Sequence, residues 1–280
     1  MAEAGHEAKR SPDLGMYGGL LLGFGSLGYG FFLEGGDFGA LLLPSPIIII
    51  FGGTAATLWM CIPGQNPLTW GGFFRAGFTD THHDGVATIQ TFVRLAEKAR
   101  REGLLSLESE MGNIHDPFMK EGIQEVVDGT PAEQITDIFM VRIDQMSKRH
   151  HVGKEFYGQG GAFAPCMGII GTVLGLTVVL GSLGGADAAA LGHSIATAFI
   201  ATLFGVALAN VLLLPCGKRC QIKSEHEVEY MNMLIAGILS IQAGDSPRLV
   251  RAKLNSYLPP AEMKRLAKAA EGGAAAPAAA

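Results

Sequence analysis

Gly160–Leu183 reads GGAFAPCMGIIGTVLGLTVVLGSL and Ala188–Leu214 reads AAALGHSIATAFIATLFGVALANVLLL; neither stretch contains Asp, Glu, Lys or Arg. A helix rises about 1.5 Å per residue, so about 20 apolar residues cross a hydrocarbon core about 30 Å thick. Both stretches are long enough. They are rich in Gly, Ala, Ser and Thr rather than in the Leu and Ile of a lipid anchor. Small residues at helical spacing let one helix approach another closely. Each stretch also has a proline at or near one end, Pro165 and Pro215. The pair reads as the working part of a membrane assembly.

Two further spans precede it. Leu14 to Leu33 is uncharged, and Leu41 to Ile62 is a second uncharged run that includes Ile47-Ile48-Ile49-Ile50. Lys9 and Arg10 give the first run the basic flank of a secretory signal, but it is too long and no small-x-small cleavage site follows it. It reads as an uncleaved anchor, so the chain is expected to be an all-α protein with four transmembrane helices. Lys and Arg are retained on the cytoplasmic side. The connection Glu34 to Ala40 and the one around Asp187 have neither, whereas Pro63 to Tyr157 carries ten, the tail from Cys216 nine and the N-terminal tail two, which accounts for all 21. Both termini and the long middle segment are therefore expected in the cytoplasm. The resulting organisation is a tail at 1–13, spans at 14–33, 41–62, 160–183 and 188–214, a cytoplasmic helical domain from 63–157 and 215–270, and a terminal stretch at 271–280.

Composition fits a chain divided between bilayer and water: 48% hydrophobic, 17% charged, with positive mean hydropathy. A net charge of −5 gives no basic excess to suggest nucleic acid. Four cysteines are too few and too scattered for a disulfide framework. Cys61, Cys216 and Cys220 belong at cytoplasmic helix ends, where thiols stay reduced. Cys216 and Cys220, one turn apart, are either half of a metal site or ordinary buried thiols.

In the middle segment Val86, Ile89, Val93 and Ala96 line one helical face beside Arg94, Lys98, Arg100 and Arg101, and Gly103 ends that helix. Thr130-Pro131-Ala132-Glu133 has the pattern of a capping box with proline at the first helical position. Ile135, Ile138, Phe139, Ile143 and Met146 then form a stripe leading toward the third span. Ser246-Pro247 predicts another short helix. No strand of any length is expected. The last ten residues are Ala/Gly/Pro low complexity.

The chain offers no Ser-His-Asp set and no phosphate loop, and it is not read as an enzyme. His82-His83 and His150-His151 are adjacent pairs, which point to different faces of a helix and chelate poorly. His193, at the external end of the fourth span, is either interfacial or part of a proton relay. Within the spans, Pro165, Gly168, Thr172 and Gly175 share one side of the third helix. Ser194, Ala198, Ala201, Thr202, Gly205 and Ala209 share one side of the fourth. The Thr172 and Thr202 hydroxyls are the polar groups best placed to meet an ion, or each bonds back to its own helix. Ion carriers keep a carboxylate in the membrane. These spans have none, so a partner would have to bring it.

Several segments resemble the flagellar stator A subunits, the MotA/PomA family of the MotA/TolQ/ExbB superfamily. They are Ala99-Arg100-Arg101-Glu102-Gly103-Leu104-Leu105-Ser106-Leu107-Glu108, Ala164-Pro165-Cys166-Met167-Gly168-Ile169-Ile170-Gly171-Thr172-Val173-Leu174-Gly175-Leu176 and Ala201-Thr202-Leu203-Phe204-Gly205-Val206-Ala207-Leu208-Ala209-Asn210 with Pro215. Gly237-Ile238-Leu239-Ser240-Ile241-Gln242 with Ser246-Pro247-Arg248 and Leu258-Pro259-Pro260, and Ser45-Pro46, are similar too. The likeness covers roughly residues 13 to 265. It implies a homopentamer in the bacterial inner membrane around two B subunits (MotB or PomB type) whose transmembrane Asp accepts the ion. It also implies torque on the rotor protein FliG through Arg100 and Glu108, with Arg101 able to share the role of Arg100. Pro165 and Pro215 match prolines linked to conformational coupling. No cofactor is implied beyond the transported H+ or Na+, and Thr172 leans the choice toward sodium. Two alternatives are an ExbB/TolQ-type energiser, which has three spans, and a non-energising membrane scaffold.

Overall fold

The structure is a computed structural model and describes residues 9–64, 66–182, 188–260 and 263. Four of its helical runs are long and apolar enough to cross a membrane: Leu14–Leu33, Pro44–Cys61, and the apolar parts of Ala132–Gly181 and Leu191–Gln242. The described residues divide into two compact units, a membrane unit within 11–80 and 148–223, and a polar unit within 9–10, 81–147 and 224–263.

In the membrane unit α1 (Leu14–Leu33) begins where Asp13 accepts a bond from Met16 N, and of its residues only Met16 is buried. Leu14 and Leu21 are 81% and 75% exposed. Such a surface needs lipid or other helices around it. The second span starts at Pro44 rather than at Leu41, because Asp37 caps a separate 3-10 turn, Phe38–Leu41, and proline suits a first helical turn. It comprises α2 (Pro44–Ile47), a π turn (Ile48–Gly52) and α3 (Gly53–Cys61). A short helix, α4 (Gly71–Phe78), follows. A small core of Met16, Leu58, Ile62, Phe156, Tyr157, Ala164, Ala209, Leu213 and Cys216 joins the spans, with Phe73 stacked on Phe156.

Two four-residue strands, β1 (Lys9–Pro12) and β2 (Thr79–His82), form a pair. This corrects the expectation of no strands; four residues are too few to show alternation.

In the polar unit α5 (Gly85–Glu102) is capped by Asp84 and buries Ile89, Phe92, Val93, Leu95 and Ala96. Gly103 ends it at φ +85°, a conformation that suits glycine. A 3-10 stretch, Leu104–Asn113, leads to α6 (Pro117–Val127), which Asp116 caps. Next, α7 (Ala132–Ser182) runs unbroken for 51 residues. It starts at Ala132, one residue after Pro131, the first helical position expected, and the Thr130 hydroxyl donates to Glu125 Oε2 at 2.7 Å instead of capping the helix. Of the expected stripe, Ile135, Phe139, Ile143 and Met146 are buried while Ile138 stays 45% exposed. The fourth long run is α8 (Ala188–Ala207), a π turn (Leu208–Leu213) and α9 (Leu214–Gln242). Last comes α10 (Pro247–Asn255), capped by Ser246. The connection expected around Asp187 and the stretch 271–280 lie outside the described residues.

Candidate functional site

Backbones, rather than side chains, meet where α7 and α8 cross. A Cβ built on Gly205 would stand 2.6 Å from Ala164 O and 3.0 Å from Gly168 Cα, and one on Gly168 would stand 2.9 Å from Ala201 O. Farther along, a Cβ on Gly171 would stand 2.9 Å from Ala201 Cβ and one on Gly175 3.0 Å from Ala198 Cβ. Any larger residue would push the helices apart. The small-residue faces read from the sequence are therefore one seam within the membrane unit.

Thr172 lies on that seam. Its Oγ1 is 3.0 Å from Gly168 O on its own helix and 3.0 Å from Ala198 O on α8, and it shares a hydrogen bond with Thr202 Oγ1. The Thr172 hydroxyl bonds back to its own helix, as one alternative had it, and also reaches the neighbouring helix. Thr177, Thr197 and Asn210 bond only to carbonyls four residues earlier, Val173, His193 and Val206, among the bonds described. Thr172 and Thr202 thus place two hydroxyls and two carbonyl oxygens within bonding reach of one another, both side chains half-buried. Oxygen sets of this kind suit a proton-bearing group or a hard cation.

The two prolines fall in unlike settings. Pro165 is half-buried inside α7, which continues through it, next to buried Ala164. Pro215 is exposed and is the second residue of α9, directly after the π turn. Proline has no N–H, and its ring crowds the carbonyl four residues back, here that of Val211. A widened turn relieves both problems.

The other candidate residues are in the polar unit. Arg100 and Arg101 close α5, and Glu108 stands on the 3-10 stretch beyond Gly103. All three are exposed and pair with no described residue. Their neighbours differ: Lys98 Nζ reaches Glu110 Oε1 and Ser109 Oγ, each at 2.8 Å, and Arg94 lies 3.9 Å from Glu110. Lys98, with help from Asn113, holds the Glu110 carboxyl below its ordinary range.

The sequence reading missed one charged group. Asp13 is only 3% exposed and is bound by Arg219, with Nε 2.6 Å from Oδ2, and by Lys223 at 3.0 Å. Arg219, above all, holds its carboxyl well below the usual carboxylate range, against the opposing effect of burial. An Asp just before an apolar run signals a helix cap, but partners more than 200 residues away leave no local trace. Among the described residues, no group of three or more His, Cys, Asp or Glu could hold a metal.

Residues 110–233 match the model of the MotA/TolQ/ExbB proton channel family. The chain is similar to Motility protein A of Bacillus subtilis, 35% identical over 254 residues that span 90% of this chain and 93% of that one. It is also similar to Motility protein A of Borreliella burgdorferi, 37% identical over 231 residues and 82% of each chain. The solved structure of the flagellar MotAB stator complex from Bacillus subtilis superposes with a TM-score of 0.83 at 34% identity, covering 89% of this chain and 98% of that one.

Proposed function

The chain belongs to the Motility protein A family, within the MotA/TolQ/ExbB proton channel family, and is a multi-pass A subunit of the flagellar stator type; from that premise we propose how its residues do the work. That family consists of channel and stator subunits rather than enzymes. One observation carries the reading: the close seam of α7 and α8 presents oxygens at Thr172 and Thr202 in spans without any carboxylate. A seam of that kind can line an ion path but cannot carry the ion alone. A single-span B subunit, MotB-like, supplies the Asp, and five copies of this chain surround two such helices in the bacterial inner membrane, with both termini cytoplasmic.

Ion binding neutralises the partner Asp and lowers the cost of moving it past the apolar wall. Each charge crossing releases about 2.3 kcal/mol per 100 mV. The small-residue seam lets the B helices turn against the ring without steric locking, and Pro165 and Pro215 locate the bends that follow. Arg100, Arg101 and Glu108, exposed and free of described partners, meet complementary charges on the rotor protein FliG. The coupling ion is H+ or Na+. The Thr172 hydroxyl, a possible sodium ligand, supports sodium.

Co-expression with a B subunit in cells lacking their own A subunit is the test. Swimming should be restored, and Asn in place of the partner's membrane Asp should abolish it. A chain that co-purifies with the B subunit yet never supports rotation would overturn the stator reading. Swimming speed against external sodium at fixed pH decides the ion; no dependence removes sodium.

A further inference from the structure

Among the described residues, the fourth span leaves α-helical pitch at one place. Leu208–Leu213 is π-helical and Pro215 follows after one intervening residue, the combination at which helices kink. One and two turns past Pro215, Arg219 and Lys223 converge on a single carboxylate. Asp13 Oδ1 accepts from Met16 N at 3.1 Å and from Arg219 Nη2, and Oδ2 accepts from Arg219 Nε at 2.6 Å and lies 3.0 Å from Lys223 Nζ. Lys223 also donates to Gly77 O at 3.2 Å and Thr79 O at 3.1 Å, while Asp13 N donates to Phe78 O at 3.1 Å. The start of α1, the end of α4 and the post-proline turns of α9 are thereby tied at one point. Gly15 leaves the room, since a Cβ there would stand 2.9 Å from Arg219 Nη2.

Capping α1 needs none of this. A neutral Asn or Ser caps as well, without the cost of desolvating a charge. A buried carboxylate held by two cations fixes geometry more than it adds net stability. We propose that Asp13, Arg219 and Lys223 are positioning residues: they brace α9 against α1 and α4 and so set the bend of the fourth span at its π turn, on which rotation depends. The functional half of this rests on the stator reading; the brace itself does not.

Hydrogen exchange on the full chain, purified with its B subunit, tests both halves alongside swimming. Asp13→Asn keeps the cap and removes the charge. Amides of Leu208–Leu214 should then exchange about tenfold faster and swimming should slow, with membrane level and B-subunit recovery unchanged. Arg219→Gln should behave alike, and the double variant should be no worse than D13N. Faster exchange confined to the first turn of α1 would reduce Asp13 to a cap and overturn the proposal, as would wild-type swimming in D13N. If D13N fails to reach the membrane, Lys223→Gln, which keeps the Asp13–Arg219 pair, is read in the same way, and unchanged exchange at Leu208–Leu214 overturns the brace. A wild-type complex that does not swim sinks the stator reading and leaves exchange to decide the brace.

Discussion

Gly205 and Gly168 differ from most small residues of the spans in what opposes them. A side chain at either would meet main-chain atoms, Ala164 O at 2.6 Å or Ala201 O at 2.9 Å, and a backbone cannot rotate out of the way. Overpacking costs about 1–3 kcal/mol where side chains can yield. Gly205→Val should lie at or above the top of that range and give a complex with less recovered B subunit and no swimming. Gly181, with open space around it, should tolerate Ala in the same assay. Asp13 makes a prediction about pH. Its folded pKa is depressed below the ordinary 3.8, so its pairing stabilises fully above that value and is lost as pH falls through and below it. The thermal midpoint of the wild-type complex should therefore fall more steeply below about pH 4 than that of D13N, and the two profiles should run parallel above about pH 5. Equal acid slopes would mean that the pair carries no such linkage.

Helices announce themselves in sequence when one face repeats, and α5 does so: Ile89, Val93 and Ala96, marked by spacing alone, are buried, and Gly103 stops the helix at a positive φ. The helix α1 coincides with the first uncharged run, because Asp13 caps its start and Glu34 stands at its end. The π turns at Ile48–Gly52 and Leu208–Leu213 were not legible, since an apolar run looks the same at either pitch. The proline after the second one was the only hint. That proline yields a test. In a helix Ala is favoured over Pro by about 3 kcal/mol, so Pro215→Ala should leave the thermal midpoint of the complex unchanged or higher. If Pro215 sets a bend there, swimming should nevertheless fall, because a regular turn would replace it. A variant that loses stability and motility together would assign Pro215 a structural role only.

Across the whole chain, the uncharged runs are the ones that form helices long and apolar enough to cross a membrane, because charge in hydrocarbon is costly wherever it falls. What charge counting cannot tell is which charges are already engaged. Lys98 and Glu110 are paired within the polar unit, whereas Arg100, Arg101 and Glu108, only a few residues away, are exposed and make no described pair. That difference separates a stability effect from a torque effect. Reversing Lys98 to Glu would place it against Glu110 and should lower the melting temperature of the complex. Reversing exposed, unpaired charges changes stability by within about 0.5 kcal/mol, so R100E/R101E/E108K should fold, reach the membrane and bind its B subunit as the wild type does. If these charges engage the rotor as proposed, its swimming should be lost, since like charge would then oppose like. R100E alone should be milder, because Arg101 stands beside it on the same exposed turn. Tethered-cell rotation measured beside membrane levels reads both effects. If the triple variant rotates at wild-type speed, the rotor is engaged elsewhere on the polar unit.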